Sequence, residues 1–155
     1  MKKGWLEDTL GNVSEMIKRG IAPKYTDKEG LCVINQKCIR DHRIDLEKSR
    51  LHNLDLKSIN PERVIKIGDV LVNSTGTGTL GRVAQVKRLF EFECTVDTHV
   101  TIVRPKVGVF YNDFFGYALI KIEEEIINSG EGASGQTELP RKKLEQEFKV
   151  TYPSS

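Results

Sequence analysis

The sequence predicts an α+β fold, in the form of a single β-rich domain with one long helix near the C-terminal third. Its 155 residues can bury a real core but are short for two domains. The first two-thirds carries brief runs of Val, Ile and Leu separated by Gly, Asn or Asp, which is typical of short strands. Apolar residues at helical spacing follow in the last third.

The N-terminal part of the chain predicts the start of the core and one buried strand. Trp5, Leu6 and Leu10 are expected to begin this core. The segment 13–17 is compatible with one helical turn or with a strand that ends at Gly20, because its periodicity does not distinguish the two. The apolar run Leu31–Ile34 predicts a buried strand.

Further strands are predicted in the middle of the chain. The segment 64–72 predicts a strand pair or one kinked strand, because the Gly-Asp pair at 68–69 interrupts β-favouring residues. Strand character resumes at 83–86. The segment 95–104 predicts a strand that Pro105 ends, because proline cannot donate to a ladder. One face of this strand would carry Val96, Thr98, Val100 and Ile102.

The long helix is predicted over residues 112–127, with Asn112 as its N-cap. Its apolar stripe would face the sheet. The stripe consists of Phe115, Leu119, Ile122 and Ile126. Residues 128–130 stop the helix, a small-residue loop follows over 130–136, and a short helix begins near Pro140.

Composition predicts a cytoplasmic globular protein. No apolar run approaches the roughly 20 residues that span a bilayer, and the first residues lack the apolar core of a signal peptide. Cys32, Cys38 and Cys94 have no zinc or CxxC spacing, so we expect reduced thiols. The net charge of +2 is too small to imply a polyanionic partner by itself.

The stretch NSTGTGTLGRV, from Asn73 to Val83, contains the spacing GxGxxG in Gly76, Gly78 and Gly81. A dinucleotide site needs a helix at the third glycine, whereas strand character follows here. A protein kinase needs further catalytic motifs that this chain lacks. A glycine-rich hairpin is therefore favoured, and a nucleotide-binding enzyme is kept as a less favoured alternative.

Three groups of polar residues could contact nucleic acid. Hydroxyl groups on a glycine-rich loop can approach a phosphate closely, and a neighbouring arginine supplies charge. Amide and guanidinium groups can pair with adenine and guanine edges. The glycine-rich group is Asn73, Ser74, Thr75, Thr77 and Arg82, the second group is Asn35, Gln36, Lys37 and Arg40, and the third is Lys18, Arg19, Lys24 and Tyr25.

No arrangement of residues predicts catalysis. The histidines, His42, His52 and His99, have no HExxH spacing, and no acidic pair adjoins a candidate nucleophile. His99 is expected on a strand, as a core or sheet-face residue. The acidic run 123–125 is expected to form the solvated face of the long helix. The sequence thus favours a non-catalytic protein.

Five segments together resemble one protein family. They are KRGIAPKY from Lys18, VINQKCIRDHRIDL from Val33, GDVLVNSTGTGTLGRVA from Gly68, DTHVTIVRP from Asp97 and SGQTELPRKKL from Ser134. In this order they resemble a target recognition domain of a type I restriction-modification specificity subunit, over nearly the whole chain.

The resemblance implies a β-rich α+β domain that reads one half of a split DNA target and has no catalytic role or cofactor of its own. Its partners would be double-stranded DNA, a methyltransferase subunit that uses S-adenosylmethionine, and through it a restriction subunit that uses ATP and magnesium. Residues 1–155 would form one such domain. The family's helical spacer would be absent or only beginning at the C-terminus, as in a fragment or a natural half-subunit.

With this family in view, residues of the second group become candidate base readers, and Arg19, Lys24 and Arg82 with the hydroxyl groups become candidate phosphate contacts. A second alternative is a protein that mimics a recognition domain and binds the methyltransferase subunit without DNA.

Overall fold

The computed structural model describes residues 3–130 and 138–154. In chain order the strands β1 to β12 are Trp5–Thr9, Ser14–Arg19, Tyr25–Thr26, Leu31–Ile34, Ile39–Arg40, Arg43–Ile44, Arg50–His52, Val70–Asn73, Val83–Gln85, Cys94–Val96, Val100–Pro105 and Lys149–Pro153. The α-helices α1 to α3 are Leu10–Val13, Asn112–Ser129 and Arg141–Glu147. Short 3-10 turns cover Gln36–Cys38, Leu46–Lys48 and Pro61–Arg63.

An antiparallel sheet, in the order β2-β11-β8-β9, forms the middle layer of the fold. Because side chains alternate along a strand, β8 sends Val70 and Val72 to one face and Leu71 to the other. The first face packs against α2, α3 and the β1-β12 ribbon. The second packs against the sheet β10-β4-β7-β3. The predicted β-rich α+β fold is confirmed.

The middle sheet has two ends that differ in chemistry. At the loop end, β2 finishes at Arg19, β8 finishes at Asn73 and β11 begins at Val100. At the ion-pair end, Asp69 precedes β8 and Arg104 lies near the end of β11. Strand β4 and its parallel partner β10 finish together, so the loops that follow them also meet at the loop end.

Several sequence predictions of secondary structure are confirmed. Leu31–Ile34 is a buried strand, the long helix spans Asn112–Ser129, and a short helix follows Pro140. The segment 13–17, for which both a helical turn and a strand were possible, lies mainly in the strand Ser14–Arg19, and a single helical turn precedes this strand. The predicted loop 130–136 lies outside the described residues, apart from Gly130.

Other predictions are wrong for local physical reasons. The segment 95–104 is two strands of different sheets, because Asp97 accepts the N–H of His99 and turns the chain. His99 consequently lies in an exposed turn instead of on a strand. Strand β8 begins only at Val70, since Gly68 has a φ of 97° and a turn precedes the strand. It forms a single strand and not a strand pair. Leu6, expected in the core, is exposed on the two-stranded β1-β12 ribbon.

Two predictions about the long helix also need correction. Its N-cap is Tyr111, so Asn112 is the first helical residue and not the cap. Glu123 is not solvated as expected, because its carboxylate accepts the N–H of Val83 at 2.9 Å and contacts His42 at 3.0 Å. The next two glutamates of the run are exposed, as predicted.

Candidate nucleic-acid interface

The glycine-rich loop connects the antiparallel strands β8 and β9. Gly76 and Gly81 have φ values of 102° and 91°, a conformation that other residues rarely adopt. A Cβ at Gly81 would also lie 2.6 Å from the side chain of Ile127. A strand, and not a helix, follows the third glycine. The predicted glycine-rich hairpin is confirmed, and the helix that a dinucleotide site needs does not begin here.

Asn73 and Ser74, both predicted to contact DNA, are fully buried. The amide of Asn73 donates to the carbonyls of Gln36 and Thr79, each at 3.1 Å. The hydroxyl of Ser74 pairs with that of Thr101 inside the sheet. These two side chains hold the loop in place, and in this structure neither is accessible to a nucleic acid.

Thr75 joins three loops at the loop end. Its hydroxyl lies 3.2 Å from Oε1 of Gln36 and 2.6 Å from Nδ1 of His99. Thr77 is exposed on the same loop. Burial raises the pKa of the Asp97 carboxyl that anchors the turn before β11. The sequence missed His99 as a site residue because the turn interrupts an otherwise regular strand pattern.

Arg19 and Lys18 follow one another on β2 and make different ion pairs. Arg19 lies 3.0 Å from the carboxylate of Glu138 and donates to the carbonyl of Leu139 at 3.1 Å. Lys18 lies 2.8 Å from the carboxylate of Glu62. Successive side chains of a strand point to opposite sides, so the structure separates these two candidates. Both already have an acidic partner.

Lys24 and Tyr25 adjoin the edge strand β3 of the second sheet. The guanidinium of Arg50 lies 3.5 Å from the centre of the Tyr25 ring. Burial raises the pKa of this tyrosine, although its side chain remains partly exposed. The third predicted group therefore does not form one patch: Arg19 lies at the loop end, whereas Tyr25 stacks with arginine at a sheet edge.

The second predicted group divides into supporting and exposed residues. Asn35 caps the 3-10 turn by accepting the N–H of Lys37 at 2.9 Å, and it donates to the carbonyl of Lys48 at 2.8 Å. Gln36 is occupied by Thr75. The charged groups of Lys37 and Arg40, by contrast, are exposed and have no ionic partner among residues 3–130 and 138–154.

We call residues 39–44, formed by β5, β6 and their turn, the arginine hairpin. Its two turn residues, Asp41 and His42, have φ values of 53° and 59°. Positive φ at both positions is typical of a type I′ turn, whose twist matches that of paired strands. Arg82 donates to the carbonyl of Ile39 at 3.4 Å, so this candidate supports the hairpin.

A groove of about 470 Å³ runs beside the arginine hairpin. Arg43 and Lys48 line it, and neither was predicted as a site residue from the sequence. Register could have found Arg43, because β5 and β6 place it directly opposite Arg40. The complete lining is Lys37, Arg40, Asp41, Arg43, Asp45 and Lys48, which is four cations and two carboxylates.

Metal and thiol chemistry find no support in the described part of the chain. Residues 3–130 and 138–154 contain no cluster of metal-ligating side chains. Cys32, Cys38 and Cys94 are buried free thiols in the core between the sheets. Within the same residues, no helix is long and apolar enough to cross a membrane.

Comparison with known proteins identified the fold. No family model and no curated protein matches the chain. Among solved structures, the HsdS subunit from Thermoanaerobacter tengcongensis aligns with a TM-score of 0.68 at 19% identity, covering 99% of this chain and 34% of that one. The S subunit of a type I restriction-modification system from M. genitalium aligns with a TM-score of 0.64 at 20% identity, over 99% and 35% of the two chains.

A third chain comes from a structure of complex assembly and conformational transition in the type I R-M system. It aligns with a TM-score of 0.66 at 18% identity, over 99% of this chain and 35% of the other. This chain thus spans about a third of the length of the proteins that it matches. Its fold is the one found within S subunits of type I restriction-modification systems.

Proposed function

We propose that this chain is a target recognition domain that binds double-stranded DNA by sequence, for a type I restriction-modification system. It would read one half of a split target and leave chemistry to its partners. The fold likeness and the five segments that resemble such domains support the proposal. Both likenesses extend over nearly the whole chain.

The observation that carries the proposal is the set of cations beside the arginine hairpin, none of which forms an ion pair with a residue of 3–130 or 138–154. The groove there has four cations and two carboxylates, and hence a local excess of two positive charges. Phosphate groups of DNA attract such a surface, whatever the sequence, and base edges then give specificity. The whole chain has a net charge of only +2, so a general positive charge of the protein does not explain this local excess.

The candidate residues divide by their present contacts. Lys37 and Arg40 are free to meet a base edge, and Thr75 and Thr77 can meet a phosphate at the loop end. Lys24 is exposed and could contact a phosphate outside the groove. Residues that already support the loops would act by positioning the others, and these are Asn35, Gln36, Asn73, Ser74 and Arg82.

The partners follow from the proposal and not from any site on this chain. A methyltransferase subunit would supply S-adenosylmethionine chemistry, and a restriction subunit would use ATP and magnesium. DNA as the ligand implies work in the cytoplasm of a bacterial cell. The chain itself would be non-catalytic and would need no cofactor.

Selection from a pool of random DNA duplexes tests the proposal. The chain is immobilised, duplexes are retained at low salt and eluted by rising salt, and retained DNA is sequenced over several rounds. We expect an enriched sequence, with affinity that falls as salt rises because counterions are released on binding. Retention without any enriched sequence, or no retention, would contradict sequence-specific binding.

A control variant that removes two exposed lysines from another part of the surface tests whether positive charge at any position is enough to explain the binding. Lys106 and Lys149 are exposed, at the ion-pair end and in the β1-β12 ribbon respectively, on the helical side of the middle sheet. We expect Lys106→Gln with Lys149→Gln to enrich the same sequence as the unaltered chain. A different sequence, or loss of enrichment, would show that DNA binds on the helical side instead.

A further inference from the structure

We infer that the arginine hairpin enters the major groove and reads guanine through Arg40 and Arg43 together. This inference rests on the proposed function and adds the element, the residues and the base. In the sequence Arg43 belongs to the same basic cluster as Lys37 and Arg40 but was not predicted as a site residue, and the paired register places it opposite Arg40.

The hairpin directs both arginines to one side. Ile39 pairs with Ile44, and Arg40 pairs with Arg43, the pair next to the turn. Ile39 is fully buried and Ile44 packs on the same core. Because side chains alternate along a strand, the neighbouring arginine pair points outward, away from that core. The two guanidinium groups thus project from the same face of the two-stranded hairpin.

Two like charges directly opposite each other destabilise a strand pair. Neither Arg40 nor Arg43 makes an ion pair or side-chain hydrogen bond with any residue of 3–130 or 138–154, so no direct bond there offsets this cost. The turn residues Asp41 and His42 add backbone strain through their positive φ values. An acceptor-rich ligand that bridges both guanidinium groups would relieve the repulsion.

The hairpin is held rigidly, as a reading element must be. His42 at its tip contacts the carboxylate of Glu123 on α2 at 3.0 Å, and the same carboxylate accepts the N–H of Val83. At its base, Asp45 donates its N–H to the carbonyl of Cys38 at 2.7 Å. Contacts at the tip and at the base therefore fix the direction of the arginine pair before any ligand binds.

Charge and shape favour base edges over phosphates as the target. Asp41 and Asp45 line the same groove as the arginines, and their carboxylates offset part of its positive charge, which weakens its attraction for a phosphate. A carboxylate can instead accept from the amino group of cytosine, the partner of guanine. The major groove admits a two-stranded ribbon, and arginine binds guanine O6 and N7 with two hydrogen bonds. Paired strand residues lie about 5 Å apart, against about 3.4 Å between stacked bases, so both arginines can reach adjacent steps.

The test combines protein and DNA substitutions on the sequence that the unaltered chain selects. Arg40→Gln and Arg43→Gln are made singly, and each guanine of that sequence is replaced singly by 7-deazaguanine, which lacks N7. We expect each variant to lose about 5- to 150-fold in affinity for the selected duplex, the equivalent of one good base contact. On the duplex that lacks the contacted N7, the same variant should lose less affinity than on the unmodified duplex, because one of the two hydrogen bonds is already gone.

Purely additive losses at every guanine would overturn the inference, and so would a selected sequence without guanine. Equal losses on selected and random duplexes would also overturn it, because they indicate phosphate contacts. In all three cases the proposed function survives, since the unaltered chain still selects a sequence. If it selects none, the proposed function itself fails, and the two failures are thereby distinguished. Circular dichroism of both variants should match the unaltered chain, because the altered side chains are exposed.

Discussion

Arg104 at the ion-pair end and the arginine hairpin near the loop end balance their charges in opposite ways. Arg104 is buried and donates to both carboxylate oxygens of Asp69, at 2.8 and 2.9 Å. It also donates to two main-chain carbonyls, and the hydrogen bonds that it donates to Asp69 raise its pKa. Arg40 and Arg43 are exposed and face each other, and neither has such a partner among residues 3–130 and 138–154. The contacts of Arg104 stabilise the fold, whereas the two hairpin arginines are accessible to a ligand.

The largest expected effect comes from breaking the ion-pair end. Asp69→Asn should lower the free energy of unfolding by about 3–5 kcal/mol, because it leaves the buried charge of Arg104 uncompensated. Urea unfolding followed by circular dichroism measures the loss. Glu62→Gln is the control, since it removes the same charge from the solvent-exposed pairs with Lys18 and Arg63 and should cost much less. Equal costs for the two variants would contradict the contrast between buried and surface pairs.

The glycine-rich loop gives the next largest effect. Gly81→Ala should destabilise by about 1–3 kcal/mol, because its φ is 91° and its Cβ would meet Ile127 at 2.6 Å. Gly78→Ala is the control: its φ of 77° is also unfavourable, but a Cβ there meets open space. In thermal unfolding, we expect a lower midpoint temperature for Gly81→Ala than for Gly78→Ala. The reverse order would show that packing against α2 does not determine the loop.

The smallest expected effect is a gain in stability at the arginine hairpin. Arg43→Gln should raise the free energy of unfolding by about 0.2–1 kcal/mol at low salt, because it removes a like-charge pair. The gain should shrink at 1 M salt, where screening reduces the repulsion. Lys106→Gln removes an exposed cation elsewhere and should show no comparable gain. A loss of stability in Arg43→Gln would mean that this arginine has a stabilising partner.

The fold was predictable where the local spacing of apolar residues is enough to determine which residues pack in the core. The long helix repeats its apolar residues at helical spacing, so Phe115 and Leu119 were correctly placed in the core. The prediction of one strand over residues 95–104 was wrong because the alternation of apolar and polar residues continues through a turn. Only the buried Asp97, which accepts the N–H of His99, reveals that the segment divides between two sheets.

The candidate site was predictable in part, for a related reason. Sequence chemistry identified Arg40 as a possible base reader, and it stays a prediction. Asn73 and Ser74 have the same donor groups as exposed residues, and only burial shows that they support the loop. Arg43 was missed because its relation to Arg40 is a matter of strand register across a two-residue turn. Single-residue chemistry carries no information about such pairs.

The most direct test of the central claim is the specificity ratio, the Kd for a scrambled duplex divided by the Kd for the selected duplex. It is measured for the unaltered chain and for Arg40→Gln combined with Arg43→Gln, at the same salt concentration. We expect this ratio to fall by at least about 5-fold, while the Kd for the scrambled duplex changes far less. An unchanged ratio would contradict the claim that the unpaired arginines of the hairpin read the sequence.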